Sequence, residues 1–180
     1  MKKKFPNLIT ERLLINQPIE TDIEDIVTIL NDKTYSNNTT NIPYPYTSNN
    51  AVFWINLAQN NFEQQLGFIF AIRLRKTGKI IGAISLHTDL KFNKAELGYW
   101  LSKAYWNKGL ATEAAKAVIT FGFHDLKLKR IFATHFDFNI ASGKVMSNAG
   151  MHKEGLLECY TKKDGIYQNH VLYAIINNDL

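Results

Sequence analysis

The pattern of apolar and polar positions changes period several times along this chain. "TERLLIN" at 10–16 is short and branched enough for a strand. In "ETDIEDIVTILND", which follows, Ile23, Ile26, Val27 and Leu30 fall on one helical face, so the strand hands over to an amphipathic helix. The polar, proline-bearing "SNNTTNIPYPYTSNN" at 36–50 predicts a loop, with Tyr44 and Tyr46 as unusual decorations. Ser48 is placed to cap a second helix that carries Phe53, Trp54, Leu57 and Phe62 and runs to about Gln65.

From Gly67 the period drops to that of a strand. "FIFAIRLR" and "IIGAISLH", on either side of "KTGK", predict a hairpin turning at Thr77–Gly78, and Lys94–Leu101 predicts a neighbouring third strand. Helical spacing returns at 109–126, with Ala111, Ala114, Ala115, Val118, Gly122 and Leu126 on one side and Thr112, Glu113, Lys116 and Thr120 on the wet side. "RIFATHFDF" then predicts a strand, "NIASGKVMSNAG" a short helix ending at Gly150, and 154–161 and 167–176 two more strands. Together these predict an α/β fold with a mixed sheet. No internal repeat or long linker divides the chain, so a single domain over 1–180, with its core at about 10–178, is expected.

Composition changes this picture little. A chain that is 46% hydrophobic and 12% aromatic is not disordered. Lys and Arg outnumber Asp and Glu by 21 to 16, but the excess gathers in "MKKK" and "LKLKR", where a solvated tail and face explain it, so no specific nucleic-acid partner is expected. Cys159 is the only cysteine; it predicts a small buried core residue and fits a reducing compartment. "FPNLITERLLI" has polar breaks where a leader would be apolar, and no run approaches the roughly 20 apolar residues of a membrane span, so a cytoplasmic protein without a membrane partner is expected.

Candidate chemistry centres on "YWLSKAYWNKGLATEAAKAV" at 99–118, a strand that turns through a glycine into a helix. A helix N-terminus presents unpaired N–H groups and the positive end of the macrodipole, so this elbow is suited to an anion. Gly109 lets the backbone approach, Ala111 keeps the wall low, Thr112 can donate a hydroxyl, and Lys103 and Lys108 add charge; a phosphate or pyrophosphate is the ligand suggested. The G-x-x-x-x-G-K-[ST] and G-x-G-x-x-G patterns are absent, as is the G-x-S-x-G of a hydrolase nucleophile. The five histidines are scattered, which predicts no metal site, and His87 and His135 are expected to face solvent or a satisfied polar contact.

"TERLLI", "AELGYWL", "YWNKGLATEA" and "DFNIASGKVMSNAG" occur in this order, and together they resemble the GNAT superfamily of N-acetyltransferases, most closely its RimJ/RimL-like branch of ribosomal-protein N-terminal enzymes. The resemblance runs from about Thr10 to the C-terminus. It implies a GNAT fold, with a mostly antiparallel mixed sheet flanked by helices, and acetyl-CoA as cosubstrate. It places the pyrophosphate on Asn107, Lys108, Gly109, Leu110, Ala111 and Thr112 and the pantetheine arm along the end of the 94–101 strand. The family loop usually opens with Arg or Gln, where this chain has Trp106.

The resemblance further implies that the thioester carbonyl meets backbone N–H at Trp100 and Leu101, that Asn139 and Ser142 contact the cofactor, and that Ser142 returns a proton to the thiolate. Asn139 and Ser142 are equally suited to capping the helix they open. Glu96 stands beside Gly98 and Trp100 in strand alternation, where a carboxylate could accept the ammonium proton or could instead pair with a neighbouring Lys or Arg. "NIPYPYT" would border the acceptor groove, and Asn169 stands where relatives often carry an acidic residue. The expected activity is acetyl transfer to a primary amine, on a protein N-terminus or a small molecule, by direct attack in a ternary complex. The alternative is a CoA-binding or sensing module that has lost turnover. A monomer or homodimer is compatible with either.

Overall fold

The structure, a computed structural model, describes residues 4–179. Among these, eight strands form one sheet: β1 (Leu8–Ile9), β2 (Leu13–Asn16), β3 (Gly67–Leu74), β4 (Ile80–Asp89), β5 (Lys94–Leu101), β6 (Arg130–Phe136), β7 (His152–Lys163) and β8 (Ile166–Ile176). Their spatial order is β1-β2-β3-β4-β5-β6-β8-β7, and every neighbouring pair is antiparallel except β5 with β6. The helices are α1 (Ile23–Leu30), α2 (Lys33–Asn38), α3 (Ser48–Glu63), α4 (Leu110–His124) and α5 (Ile140–Asn148).

Alternation along the strands divides the apolar residues between two layers. On one face Ile72, Leu86, Leu97, Leu101 and Ile131 meet Leu110, Ala114, Ala115 and Val118 of α4 and Met146 of α5. On the other, Ala71, Ile80 and Trp100 meet Ile26 and Leu30 of α1 and Ala51 and Trp54 of α3. The small residues of α4 let it lie close to the sheet: a Cβ on Gly122 would stand 2.7 Å from the Ile131 side chain. Ile26 and Leu30 are buried as their spacing predicts, and the hairpin turns at Thr77–Gly78, with Gly78 left-handed at φ 70°.

Four local expectations are corrected. The segment 36–50 is not all loop, because Asp32 caps α2 by accepting from the Thr34 N–H at 2.9 Å. Thr47, not Ser48, caps α3, exchanging hydrogen bonds with Asn50 in a capping box. Tyr46 is no surface decoration: it is buried with Ile26 and Leu30, leaving Tyr44 as the exposed member of the pair. Cys159 is exposed rather than buried, since it lies with φ 50° at a bulge in β7, the edge strand, where pairing with β8 shifts register between Leu157 and Thr161.

A buried ion pair ties the turn before α1 to the sheet. Arg73 of β3 holds both carboxylate oxygens of Asp22, at 2.6 and 2.7 Å, and donates its Nε–H to Asn16 at 2.8 Å. Removing one partner strands the other charge away from water. Asp22→Ala should therefore cost about 3–5 kcal/mol in urea unfolding. The double variant Asp22→Ala/Arg73→Met should recover much of that loss, because no buried charge is left alone.

Candidate active site

The site begins where a ladder stops. β5 and β6 pair in parallel only from Lys94↔Arg130 to Glu96↔Phe132, after which Leu97–Leu101 and Ala133–Phe136 run on without pairing to each other. The result is a gap in the middle of the sheet. On its other side β5 stays paired with β4 to the end, Gly82 opposite Leu101 and Ala83 opposite Trp100. The Ser102 N–H bonds Ile81 O at 2.8 Å, which sets the phase of that ladder. By alternation Trp100 turns its N–H and C=O toward β4, whereas Tyr99 and Leu101 turn theirs toward the gap. Of the expected pair Trp100 and Leu101, only Leu101 offers a backbone N–H to the gap; Trp100 instead supplies an aromatic wall against Tyr35 and Trp54.

The two sheet faces bring different chemistry to this opening. Glu96, Gly98 and Trp100 share the face of α1 and α3, and Tyr99 and Leu101 share that of α4 and α5. Glu96 is half-buried and, among the described residues, has no ion pair. The nearby cations are already engaged, Lys94 with Asp89 at 3.7 Å and Arg130 with Glu154. The strand ion pair that would make Glu96 purely structural is therefore missing. Across the sheet, the Tyr99 hydroxyl lies 2.8 Å from Ser142 Oγ and 2.9 Å from Ser142 O, so β5 reaches over the gap to the first turn of α5. Burial pushes the Tyr99 phenol well above its ordinary value, with a smaller opposing effect from Ser142, and keeps it protonated. Asn139 caps α5, its Oδ1 accepting from the Ser142 N–H at 3.3 Å.

At the mouth of the gap stands the elbow. Asn107 (φ 58°) and Gly109 (φ 72°) are both left-handed on either side of Lys108, a backbone course that turns successive N–H groups to one side. Three contacts fix it. Trp106, in the family's Arg/Gln position, donates its Nε1–H to Leu101 O at 2.6 Å. Arg12 donates to Lys108 O at 2.9 Å, and the Lys108 ammonium folds back onto Ala104 O at 2.8 Å. Leu110 is buried in the core, so only its backbone can face a ligand; Ala111 and Thr112 are half-buried. Gly109 and Thr112 line a cavity of about 340 Å³ with Thr10, Arg12, Glu113 and Lys116. Lys103, expected to add charge to the elbow, is bonded to Asp32 at 2.5 Å and holds that carboxyl down at about 2.

The "TERLLI" segment has a local task here. Glu113, in the first turn of α4, accepts from Thr10 Oγ1 at 2.6 Å, the Arg12 N–H at 2.9 Å and Arg12 Nε at 2.6 Å. Burial alone would raise the Glu113 carboxyl, but these donors and the guanidinium charge together hold it below its ordinary value. The tasks of two residues escaped the sequence reading, Trp106 being visible there only as a departure from the usual Arg or Gln. Tyr99 carried a signal, a phenol alternating with Leu97 and Leu101 on an apolar face, which needs a hydroxyl partner. Trp106 carried none, since its partner is a carbonyl across a turn. His135 is buried rather than solvated: Nδ1 lies 2.7 Å from Phe136 O, while Nε2 has no partner among the described residues and lies under Gly143. Asn169 accepts from the Cys159 N–H at 2.9 Å and donates to Asp137 at 3.2 Å, holding the bulge of β7 against the end of β6.

Residues 12–152 match the acetyltransferase (GNAT) domain family, so this chain belongs to the GNAT acetyltransferases. It is an N-acetyltransferase with RimJ/RimL-like homologues. It is 36% identical over 123 residues to the probable N-acetyltransferase YjcK of Bacillus subtilis, covering 67% of this chain and 68% of that one. It is 30% identical over 123 residues to the [ribosomal protein uS5]-alanine N-acetyltransferase of Escherichia coli, covering 67% and 63% respectively. Its fold is similar to that of a GNAT-family acetyltransferase from Bacillus anthracis, with a TM-score of 0.85, 26% identity and coverage of 95% and 98%.

Two outcomes follow from the elbow. Gly109→Val places a branched side chain at φ 72° and should weaken acetyl-CoA binding by at least about tenfold in calorimetry, while Lys108→Ala should do less, its charge being exposed. The Glu113 contribution to stability is complete above the carboxyl's ordinary 4.5 and fades as pH falls through the lower folded value. Glu113→Gln should therefore melt below the parent at pH 7 and lose less on acidification through that range, as thermal melts will show.

Proposed function

We propose that this protein is a cytoplasmic enzyme that transfers the acetyl group of acetyl-CoA to a primary amine by direct attack in a ternary complex. The observation that carries this is the mid-sheet gap, with a free carboxylate on one face, a hydroxyl pair on the other and an N–H-rich elbow at its mouth. The residues present fit acetyl-CoA: the elbow has the backbone course for a pyrophosphate, and the unpaired edge of β5 matches the amides of a pantetheine arm.

When bound, acetyl-CoA supplies an electrophilic carbonyl and a thiolate leaving group. The chain's residues do the rest. Glu96 takes a proton from the incoming ammonium, directly or through water, and frees the lone pair that attacks. The N–H of Leu101 meets the oxyanion that develops as the C–N bond forms. As the C–S bond breaks, the second proton shed by the attacking nitrogen would pass through the Ser142 hydroxyl to sulfur, so that Ser142 ends as it began; neutral Tyr99 holds that hydroxyl, and Asn139 fixes the turn that carries it.

The acceptor is an α-amine at a protein N-terminus or a small-molecule amine, with the N-terminal case supported by the relative that acts on uS5 alanine. Calorimetry with acetyl-CoA, then thiol release with a peptide bearing a free N-terminal alanine and with spermidine, tests this. No binding at millimolar acetyl-CoA would overturn it. Glu96→Gln should bind acetyl-CoA like the parent yet turn over about a hundredfold more slowly. Its deficit should be largest below about pH 8, where an α-amine is mainly protonated.

A further inference from the structure

Glu96 has a neighbour that the acetyl-transfer scheme above does not use. In the β4–β5 ladder His87 stands directly opposite Glu96. The phase fixed by Ser102 and Ile81 makes this a hydrogen-bonded pair, so the two Cα atoms are about 5.5 Å apart and the side chains share a face. Ser85, the next residue of β4 on that face, places its Oγ 3.3 Å from His87 Nε2. On the far side His87 is paired with Gly67, which has no side chain to cover the imidazole. His87 is exposed, whereas Glu96 is half-buried at the point where the ladder gives way to the gap. The imidazole thus stands beside the carboxylate on the solvent side of the gap, without a direct hydrogen bond between them among the described residues.

Acetylating an ammonium releases one net proton: C–N forms, C–S breaks, sulfur is protonated, and the other proton must reach solvent before the base can act again. We propose that His87 is a positioning residue that acts through Glu96, orienting the carboxylate and carrying its proton from the gap to bulk water. The step is a simple transfer, from the carboxylic acid of Glu96 through an intervening water to the imidazole and from the imidazolium to bulk solvent, with no other reactant. This rests on Glu96 being the base.

The surroundings suit a relay. Partial desolvation lowers the His87 pKa from its ordinary 6.5 while the Glu96 charge pulls the other way, so the two groups sense one another. The other charged groups near this end of the face are mutually paired, Lys94 with Asp89 and Arg130 with Glu154, and Glu63 at the end of α3 is bonded to Gln59. Among the described residues, Glu96 is the carboxylate that faces the imidazole across the ladder.

The first test needs no acceptor. In NMR titrations of the free enzyme the His87 midpoint should fall when Glu96→Gln removes the charge; an unchanged midpoint would show that the two do not interact and would overturn the proposal. The second uses the alanine-peptide assay. His87→Ala should bind acetyl-CoA normally, lower kcat roughly tenfold with a displaced pH profile, and regain turnover with added imidazole. His87→Gln, which keeps polarity and bulk but cannot shuttle a proton, should be as slow as His87→Ala if it melts like the parent. If Glu96→Gln is slow but both His87 variants match the parent at every pH, the relay is wrong and the base stands. If Glu96→Gln is fully active, the base assignment itself fails and the relay with it.

Discussion

The whole site depends on a ladder that ends early. A strand in the interior of a sheet ordinarily spends every N–H and C=O on its neighbours, and β5 does so on its β4 side. On its β6 side pairing ends at Glu96↔Phe132, and beyond it the strand has no ladder partner, the Leu101 carbonyl alone being taken up by side chains from the elbow and α2. Polar backbone without a partner is costly in a core and useful at a binding site, where a ligand with its own amides and carbonyl can take the place of the missing strand.

Holding such a gap open requires restraints from outside the sheet, and most are polar. The Tyr99–Ser142 contact ties β5 to α5, and Trp106 ties the elbow to the end of β5. Thr10 and Arg12 fasten Glu113, and through it the first turn of α4, to the β1–β2 edge. The apolar layers give the sheet its rigidity, but they do not choose where the strands part. Of these bonds, Tyr99–Ser142 and the Thr10 and Arg12 contacts to Glu113 join residues far apart in sequence.

This distribution explains what the sequence revealed. Alternation and helical spacing are local, so Lys94–Leu101, the Thr77–Gly78 turn and the apolar face of α4 could be read from the chain. The elbow was legible too, because glycine, small residues and a helix start occur together. α2 was hidden by its polar composition, with Tyr35 its one buried side chain. The bulge that exposes Cys159 depends on Asn169 from the next strand, and the engagement of Lys103 depends on Asp32 from another helix. Such pairings have no periodic signature.

The carbonyl of Leu101 receives two donors, Trp106 Nε1 at 2.6 Å from the elbow and the Tyr35 hydroxyl at 3.3 Å from α2. Tyr35 also accepts from the Lys103 N–H at 2.9 Å, so a single oxygen joins the cofactor side of the molecule to the helix beside the opposite face. The position of α2 and the course of the elbow are therefore set against one common acceptor, so a shift of either helix or turn is felt by the other through a single backbone oxygen.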